Sequence, residues 1–373
     1  MTWLCVKALG TCIVLLALSP APSPGQEKDP IGKSIDDVTI AAYEKHGAEH
    51  GRIENDVNVL FREKGASASM PLPGFRFKTP PKSALPEVAV PFGIDLTVDP
   101  APVLLGVPVI HVTDAELKHL AGLKNLTALN LSFAHVTGAG LKELASLKNL
   151  SSLSLHQSKI ADADLRALAA MHNLTALNLG HTKMTNRGLK ELAGLKNLRA
   201  IYMNHTEVTD PGLKALADLK DLTALALSWQ TTDVGMKEIA HLKYLETLHL
   251  GGANVSDAGL KELAGLENLY HLTLWRTKVT DAGIKELTRH QSLAGIDLWN
   301  TEVTDAGVKE LARLRNLEIL NLGYTKVTDA GLKDLAVLDK LTWAAFDGTQ
   351  VTADGLAELQ RKLPKCKIVG PKR

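Results

Sequence analysis

Histidine, aspartate and tryptophan are the side chains of this 373-residue chain with the most chemistry to offer, and they recur at regular intervals. His181 and His205 stand 24 residues apart, as do Trp275 and Trp299, while His156, His249, His271 and Asp297 fall close to the same rhythm. Imidazoles titrate near neutral pH and ligate metals, and a set of His249, His271 and Asp297 could move a proton. Yet no ligand spacing or carboxylate partner repeats with the histidines, and no serine or cysteine accompanies the set as a nucleophile. The histidines therefore read as solvated polar positions. The chain is expected to be no enzyme, to hold no metal and to need no cofactor. The aromatics carry a different possibility. Binding energy concentrates on Trp, Tyr and Arg, and ten Phe, Tyr and Trp lie between Leu126 and Leu363.

What must position these residues is a repeat. Leu126, Leu150, Leu174, Leu198 and Leu222 are 24 residues apart; one step of 23 leads to Leu245, and steps of 24 resume through Leu269, Leu293, Leu317 and Leu341. An LxxLxL core at a fixed period between 20 and 29 is the signature of a leucine-rich-repeat solenoid. The fold class expected is α/β: a horseshoe with a parallel concave sheet and convex helices, about 11 repeats of 24 residues.

Each repeat is legible in physical terms. In Leu174–Leu179, Leu177 and Leu179 alternate and share one face of a short strand, while Ala176 and Asn178 share the other. Val or Ile recurs under the turn at Val136, Ile160, Val208, Val255 and beyond. The following Thr stands where an N-cap hydroxyl is needed, with Asp beside it at the positive end of the helix. Leu189, Leu192 and Leu195 form the inner stripe of that helix. One repeat cannot cover its own leucines, so stability must come from stacking neighbours.

Against this frame, Phe133, Tyr202, Trp229, Trp275, Trp299, Tyr324 and Trp343 take concave strand positions or follow them directly. The candidate binding set is Tyr202, His205, Trp229, His249, His271, Trp275, Arg276, Asp297, Trp299, Asn300, Tyr324 and Trp343. Cross-strand aromatic pairing that only stabilises the sheet is the competing reading. The repeat from Leu222 is one residue short just after Trp229 and Gln230, which makes either a kink or a notch.

The termini differ from the repeats. Lys7 followed by the apolar run Ala8–Leu18 and by Ser19–Gly25 has the form of a cleavable export signal, with an uncleaved tether as the alternative; the run is too short to span a bilayer. Residues 26–91 read as a helical stretch and a Pro-rich tether, and residues 92–373 as the repeat domain with its caps. Leu363–Val369 departs from the repeat pattern and is expected to close the last edge as a short strand. With Cys5 and Cys12 in the signal, Cys366 is left without an intramolecular disulfide partner. Charge is balanced, 42 Lys+Arg against 41 Asp+Glu, which gives no footprint for nucleic acid.

The consensus unit VTDAGLKELAGLKNLTALNL, with Phe92-Gly-Ile-Asp-Leu96 before it and Leu363-Pro-Lys-Cys-Lys-Ile368 after it, resembles the exported leucine-rich-repeat proteins of planctomycete-type bacteria. It is similar, more distantly, to the ribonuclease-inhibitor and F-box branches. The resemblance spans roughly residues 92–370. It implies the fold and a binding role, with a bacterial, exported protein in the periplasm, envelope or extracellular space. Thr182, Thr206, Thr277, Thr301 and Thr325 replace the turn asparagine of other branches, so a hydroxyl ladder is expected in place of an asparagine ladder. The function expected is a non-enzymatic scaffold that takes a protein or peptide on its concave face. The alternative is a cell-envelope glycan stacked on a Trp275/Trp299 platform. No membrane span is expected in the mature chain.

Overall fold

The computed structural model describes residues 37–45, 48–53, 72–77, 83–85, 87–88, 92–96 and 112–370. The signal-like segment 1–25 and most of the Pro-rich stretch lie outside the described residues. Eleven parallel strands, one per repeat, form the body of a single sheet: β4 (Leu126–Asn130), β5 (Ser152–Ser154), β6 (Ala176–Asn178), β7 (Ala200–Tyr202), β8 (Ala224–Ala226), β9 (Thr247–His249), β10 (His271–Thr273), β11 (Gly295–Asp297), β12 (Ile319–Asn321), β13 (Trp343–Ala345) and β14 (Lys367–Val369). Equal periods put equivalent residues side by side. Leu129 pairs with Leu153 and Leu153 with Leu177, and the register holds to Ala344 beside Ile368. Leu129 of β4 and the central residue of each three-residue strand from β5 to β13 point inward, so the core is a stack of buried leucines with Ile201, Ile296 and Ala344 in the same column. Short helices such as Asp281–Leu287, Asp305–Leu311 and Asp329–Leu335 cover the other side, their inner residues buried against that stack. Among the described residues no helix is long and apolar enough to cross a membrane.

The Thr-Asp-Ala-Gly turn joins one repeat to the next. Thr280 caps its helix by accepting from the Ala282 N–H (3.3 Å). Its own N–H and hydroxyl are donated to the two carboxylate oxygens of Asp257 in the preceding repeat, at 2.8 and 2.7 Å. Asp281 takes Thr304, Asp305 takes Thr328 and Asp329 takes Thr352 in the same way. The glycine three residues past each Thr leaves room for that carboxylate; a Cβ at Gly283 or Gly307 would fall on Asp257 or Asp281. The exception supports the rule. Gly138 stands where the Asp belongs, Ala161 where the next Thr belongs, and Asp164 where the Gly belongs. Asp164 reaches back through the vacated space and accepts from the N–H groups of Gly138 (2.7 Å) and Ala161 (3.0 Å). Three substitutions thus restore one bridge.

Two expectations are corrected here. The hydroxyls of Thr182, Thr206, Thr277, Thr301 and Thr325 form no ladder between repeats; each donates to the carbonyl three residues back and closes its own turn. An asparagine ladder exists elsewhere, at the helix-to-strand return. Asn149, Asn197, Asn268 and Asn316 donate side-chain N–H groups to carbonyls of the preceding repeat at 2.7–2.9 Å, and Asn173 does the same to Lys148.

The Pro-rich stretch does not act only as a tether. Strand β1 (Ala48–Ile53) pairs antiparallel with β2 (Leu72–Phe77), which runs parallel to β3 (Phe92–Asp95) and so joins the sheet. Leu85 and Val88 are buried. The Glu87 carboxylate accepts from the N–H groups of Lys124 and Asn125, and Asn125 donates its side chain to the Val88 carbonyl (2.9 Å). A first repeat has no preceding repeat to bond to, and these residues take its place. At the other end β14 closes the edge as expected and keeps the 24-residue register with β13, with Cys366 buried beneath it.

Candidate functional site

Outward-facing strand residues form a floor, and the turn directly after each strand forms a rim. On the floor, large side chains lie flat over small ones in the next strand. Tyr202 covers Ala224 and Ala226 and is only 3% exposed. His271 leans over Gly295, where a Cβ would collide with the imidazole. His249 Nδ1 and Thr273 Oγ1 are 2.8 Å apart, and the rings of Tyr202 and His249 are 6.3 Å apart. The Asp297 carboxylate accepts from the Trp299 N–H (3.0 Å) and is hydrogen-bonded to Asn321. Burial raises the Asp297 acid to about 6 and lowers both His249 and His271 to about 4. Desolvation disfavours the charged form of all three. Tyr202 and His271, read from sequence as open contact residues, are therefore paving: packed area on a sheet surface is worth more to them than exposure.

The rim is different. Phe133, Gln157, His181, His205, Arg276, Asn300 and Tyr324 occupy one column of the turns, and every one has φ between 53 and 65°. Gly252 and Gly348 fill the same column with φ of 75 and 70°. Left-handed backbone costs an L-residue roughly 1–2 kcal/mol, so glycine is the undemanding choice. Seven residues that carry a side chain are nonetheless held in that conformation, Phe133, Arg276 and Tyr324 among them. Such strain is retained where the surroundings over-determine it, often at functional sites.

On this rim the side chains form two groups. Toward the C-terminus, the Arg276 guanidinium carbon lies 4.9 Å from the centre of the Trp299 ring, and Trp299 meets Tyr324 edge to face at 5.2 Å. Arg276, Asn300 and Tyr324 are exposed, Tyr324 by 56%. Toward the N-terminus, Phe133, His156, His181 and His205 form a continuous run of rings. Trp275 and Trp299 share a column but part company. The Trp275 indole sits over Gly251 and Gly252 of the preceding repeat, whereas Trp299 packs on Gly323 of the following one. The shared platform expected of this pair is not formed. Trp343 stands apart on β13, half-buried between Ile319 and Lys367.

The short repeat separates the two groups. Elsewhere the rim residue donates its N–H to a carbonyl of the next repeat, as Arg276 does to Trp299 (2.9 Å) and Tyr324 to Asp347 (2.6 Å). At the shortened turn the Ser228 hydroxyl instead donates to the Thr206 carbonyl (2.7 Å), and Thr231 is buried in the Val/Ile column with its hydroxyl unpartnered. Trp229 is left 54% exposed on the rim, and His205 of the preceding repeat is exposed as well. Gln157 and the whole left-handed column were missed from sequence. The signal available was Gly252 and Gly348 recurring at the column of His181 and Arg276.

Comparison with known proteins follows the repeats. Residues 148–208 match a family model described as leucine rich repeat, and a second model of that description matches residues 122–145, 241–264 and 313–336. The fold is a leucine-rich-repeat solenoid. Among solved structures, this solenoid is similar to an internalin of Listeria monocytogenes at 20% identity and TM-score 0.45, over 73% of this chain and 87% of that one. Internalin C2 of the same bacterium is 25% identical at TM-score 0.40, over 56% and 83%. A leucine-rich-repeat protein of Leptospira interrogans is 21% identical at TM-score 0.44, over 67% and 74%. No curated protein matches the chain.

Proposed function

We propose that this solenoid is a non-enzymatic scaffold that binds a protein or peptide along its strand-exit rim. Arg276, Trp299, Asn300 and Tyr324 supply the main contacts, with Trp229 on the far side of Gly251 and Gly252. The observation that carries the reading is the Arg276–Trp299–Tyr324 stack, two of whose members stand on left-handed turn residues. Residues of this kind dominate binding energy when a partner desolvates them. A fixed backbone lowers the cost of ordering them on association. The floor residue Asp297 supports the rim from below by accepting the Trp299 N–H. A peptide is favoured over a stacked sugar because Trp275 packs toward the preceding repeat and Trp299 toward the following one. The export reading of residues 1–25 places this scaffold in the periplasm, envelope or extracellular space, and residues 92–373 carry the binding unit.

The test is selection of peptides from a random display library on the intact protein, followed by calorimetry. Peptides selected on the protein should bind Arg276→Ala, Trp299→Ala and Tyr324→Ala each at least about tenfold more weakly, a loss of ~1.4 kcal/mol. Peptides that bind all three variants as well as the parent would place the site elsewhere. Retention of neutral wall glycan by the parent, with no peptide selected, would move the glycan alternative ahead.

A further inference from the structure

The repeat from Leu222, one residue short, is also the repeat least tied to its neighbours. Beside the strand pairing, three hydrogen-bond ladders join successive repeats. One runs along the rim, as from the His181 N–H to the Asn204 carbonyl and from the Gly252 N–H to the Trp275 carbonyl. A second runs under the turn, as from the Glu207 N–H to the Met184 carbonyl and from the Asn254 N–H to the Thr231 carbonyl. The third is the asparagine ladder at the return. Between β7 and β8 all three stop. Among the described residues the His205 N–H reaches no carbonyl of the next repeat, and Gln230 turns its N–H to the Ser228 hydroxyl of its own turn (3.3 Å). Asp221 stands where the asparagine belongs, and a carboxylate has no N–H to donate. Between β8 and β9 the rim link is missing again at Trp229, and exposed Tyr244 replaces the asparagine of the return. No other junction from β4 to β13 lacks more than one of the three links.

What remains between β7 and β8 lies away from the return edge. The strands pair from Ala200 beside Ala224 to Tyr202 beside Ala226, and Tyr202 rests on those two alanines. Ser228 reaches the Thr206 carbonyl, and the Asp210 carboxylate accepts from the Thr232 N–H and hydroxyl at 2.9 and 2.6 Å. These ties hold the chain together, while the ladders that would lock its angle are released. We propose that the short repeat around β8 is a hinge, about which the repeats up to β7 and those from β9 onward bend as two arms. In a solenoid each repeat touches only its neighbours, so the angle between the arms is decided at these two junctions. Hinges are a few residues that absorb a large change between rigid bodies. One arm carries the ring run from Phe133 to His205, the other carries Arg276, Trp299 and Tyr324, and Trp229 stands on the hinge itself. A partner that touches both arms selects one angle. The hinge itself is independent of whether the rim takes a peptide.

The experiment is pulsed electron–electron double resonance on the full chain, spin-labelled at exposed helix positions in a Cys5→Ser/Cys12→Ser/Cys366→Ala background. Lys190→Cys/Lys261→Cys spans the short repeat, and Lys261→Cys/Lys333→Cys spans the same number of repeats without it. The distance distribution of the first pair should be at least about twice as wide as that of the second. A threonine inserted between Trp229 and Gln230 restores the 24-residue period, and Asp221→Asn restores the donor at the return. Together they should narrow the first pair to the width of the second, circular dichroism confirming the fold. Equal widths for the two pairs in the unaltered repeat overturn the proposal, whether or not the insertion folds. A first pair that stays wide in a folded insertion variant overturns it too, since the missing links would then not be the cause.

Discussion

A methyl group added at Gly251 would fall inside the Trp275 indole, and one added at Gly323 would come 2.7 Å from Trp299 Cδ1. At the residue scale, then, the aromatic rim is set as much by missing side chains as by those present. Gly251→Ala is expected to eject the Trp275 ring and cost about 1–3 kcal/mol, the usual range for overpacking. In a Trp275→Ala background the same substitution should cost much less, giving a coupling above ~0.5 kcal/mol in urea melts. Equal cost in both backgrounds would mean that Gly251 is needed for its backbone and has no part in seating the ring. The column positions of Arg276, Trp299 and Tyr324 were readable from the period alone. The left-handed turn was not, because Phe133, Arg276 and Tyr324 are residue types that give no sign of positive φ. Nor did spacing reveal that Trp275 and Trp299 lean in opposite directions, since that depends on which neighbouring repeat offers a glycine.

Between repeats, stability is written in the Thr-Asp-Ala-Gly turn. Sequence alone assigns Thr as cap and Asp as a charge at the helix end, both within one repeat, because local pattern shows nothing of the partner 23 residues away. The structure adds the bridge from Asp281 to Thr304 and the space for it at Gly307. Strand, helix and period followed from the leucines; the caps at Glu87 and Val88 did not, since a cap is by nature the part that breaks the repeat. Gly138, Ala161 and Asp164 supply a natural control for the bridge. Asp281→Gly should cost about 1.5–3 kcal/mol, as a charged acceptor serving two donors is removed. The triple variant Asp281→Gly/Thr304→Ala/Gly307→Asp copies the natural exception and should recover most of that loss. Denaturant unfolding of the single and triple variants decides it. A triple no more stable than the single would show that Asp164 works only in its own surroundings.

Over the whole molecule, each repeat leans on its neighbours, so a weakness in the middle is felt along the solenoid. The groups best placed to create one are those burial has shifted near the centre of the floor. His249 and His271 have folded values of about 4 against an ordinary value of 6.5. The unfolded chain therefore takes up their protons first, and the stability they support is complete above pH 6.5 and falls as pH drops toward 4. Asp297 runs the other way. Its folded value of about 6 lies above the ordinary 3.8, so the cost of ionising it within the fold is relieved as pH falls through 6. One acid opposes two bases, and His156, His181, His205 and His290 are lowered as well, His290 with its Nε2 buried and unpartnered in a leucine column. The bases outnumber the acid, and the net sign is loss of stability on acidification. Thermal melts should show Tm falling from pH 7 to pH 5, with a shallower slope in His249→Asn/His271→Asn than in the parent. A Tm that rises over that interval would mean that Asp297 outweighs the histidines, and Asp297→Asn would then abolish the rise. Acid thus loosens the solenoid at its floor, at β9 and β10, where two lowered imidazoles lie in adjacent strands.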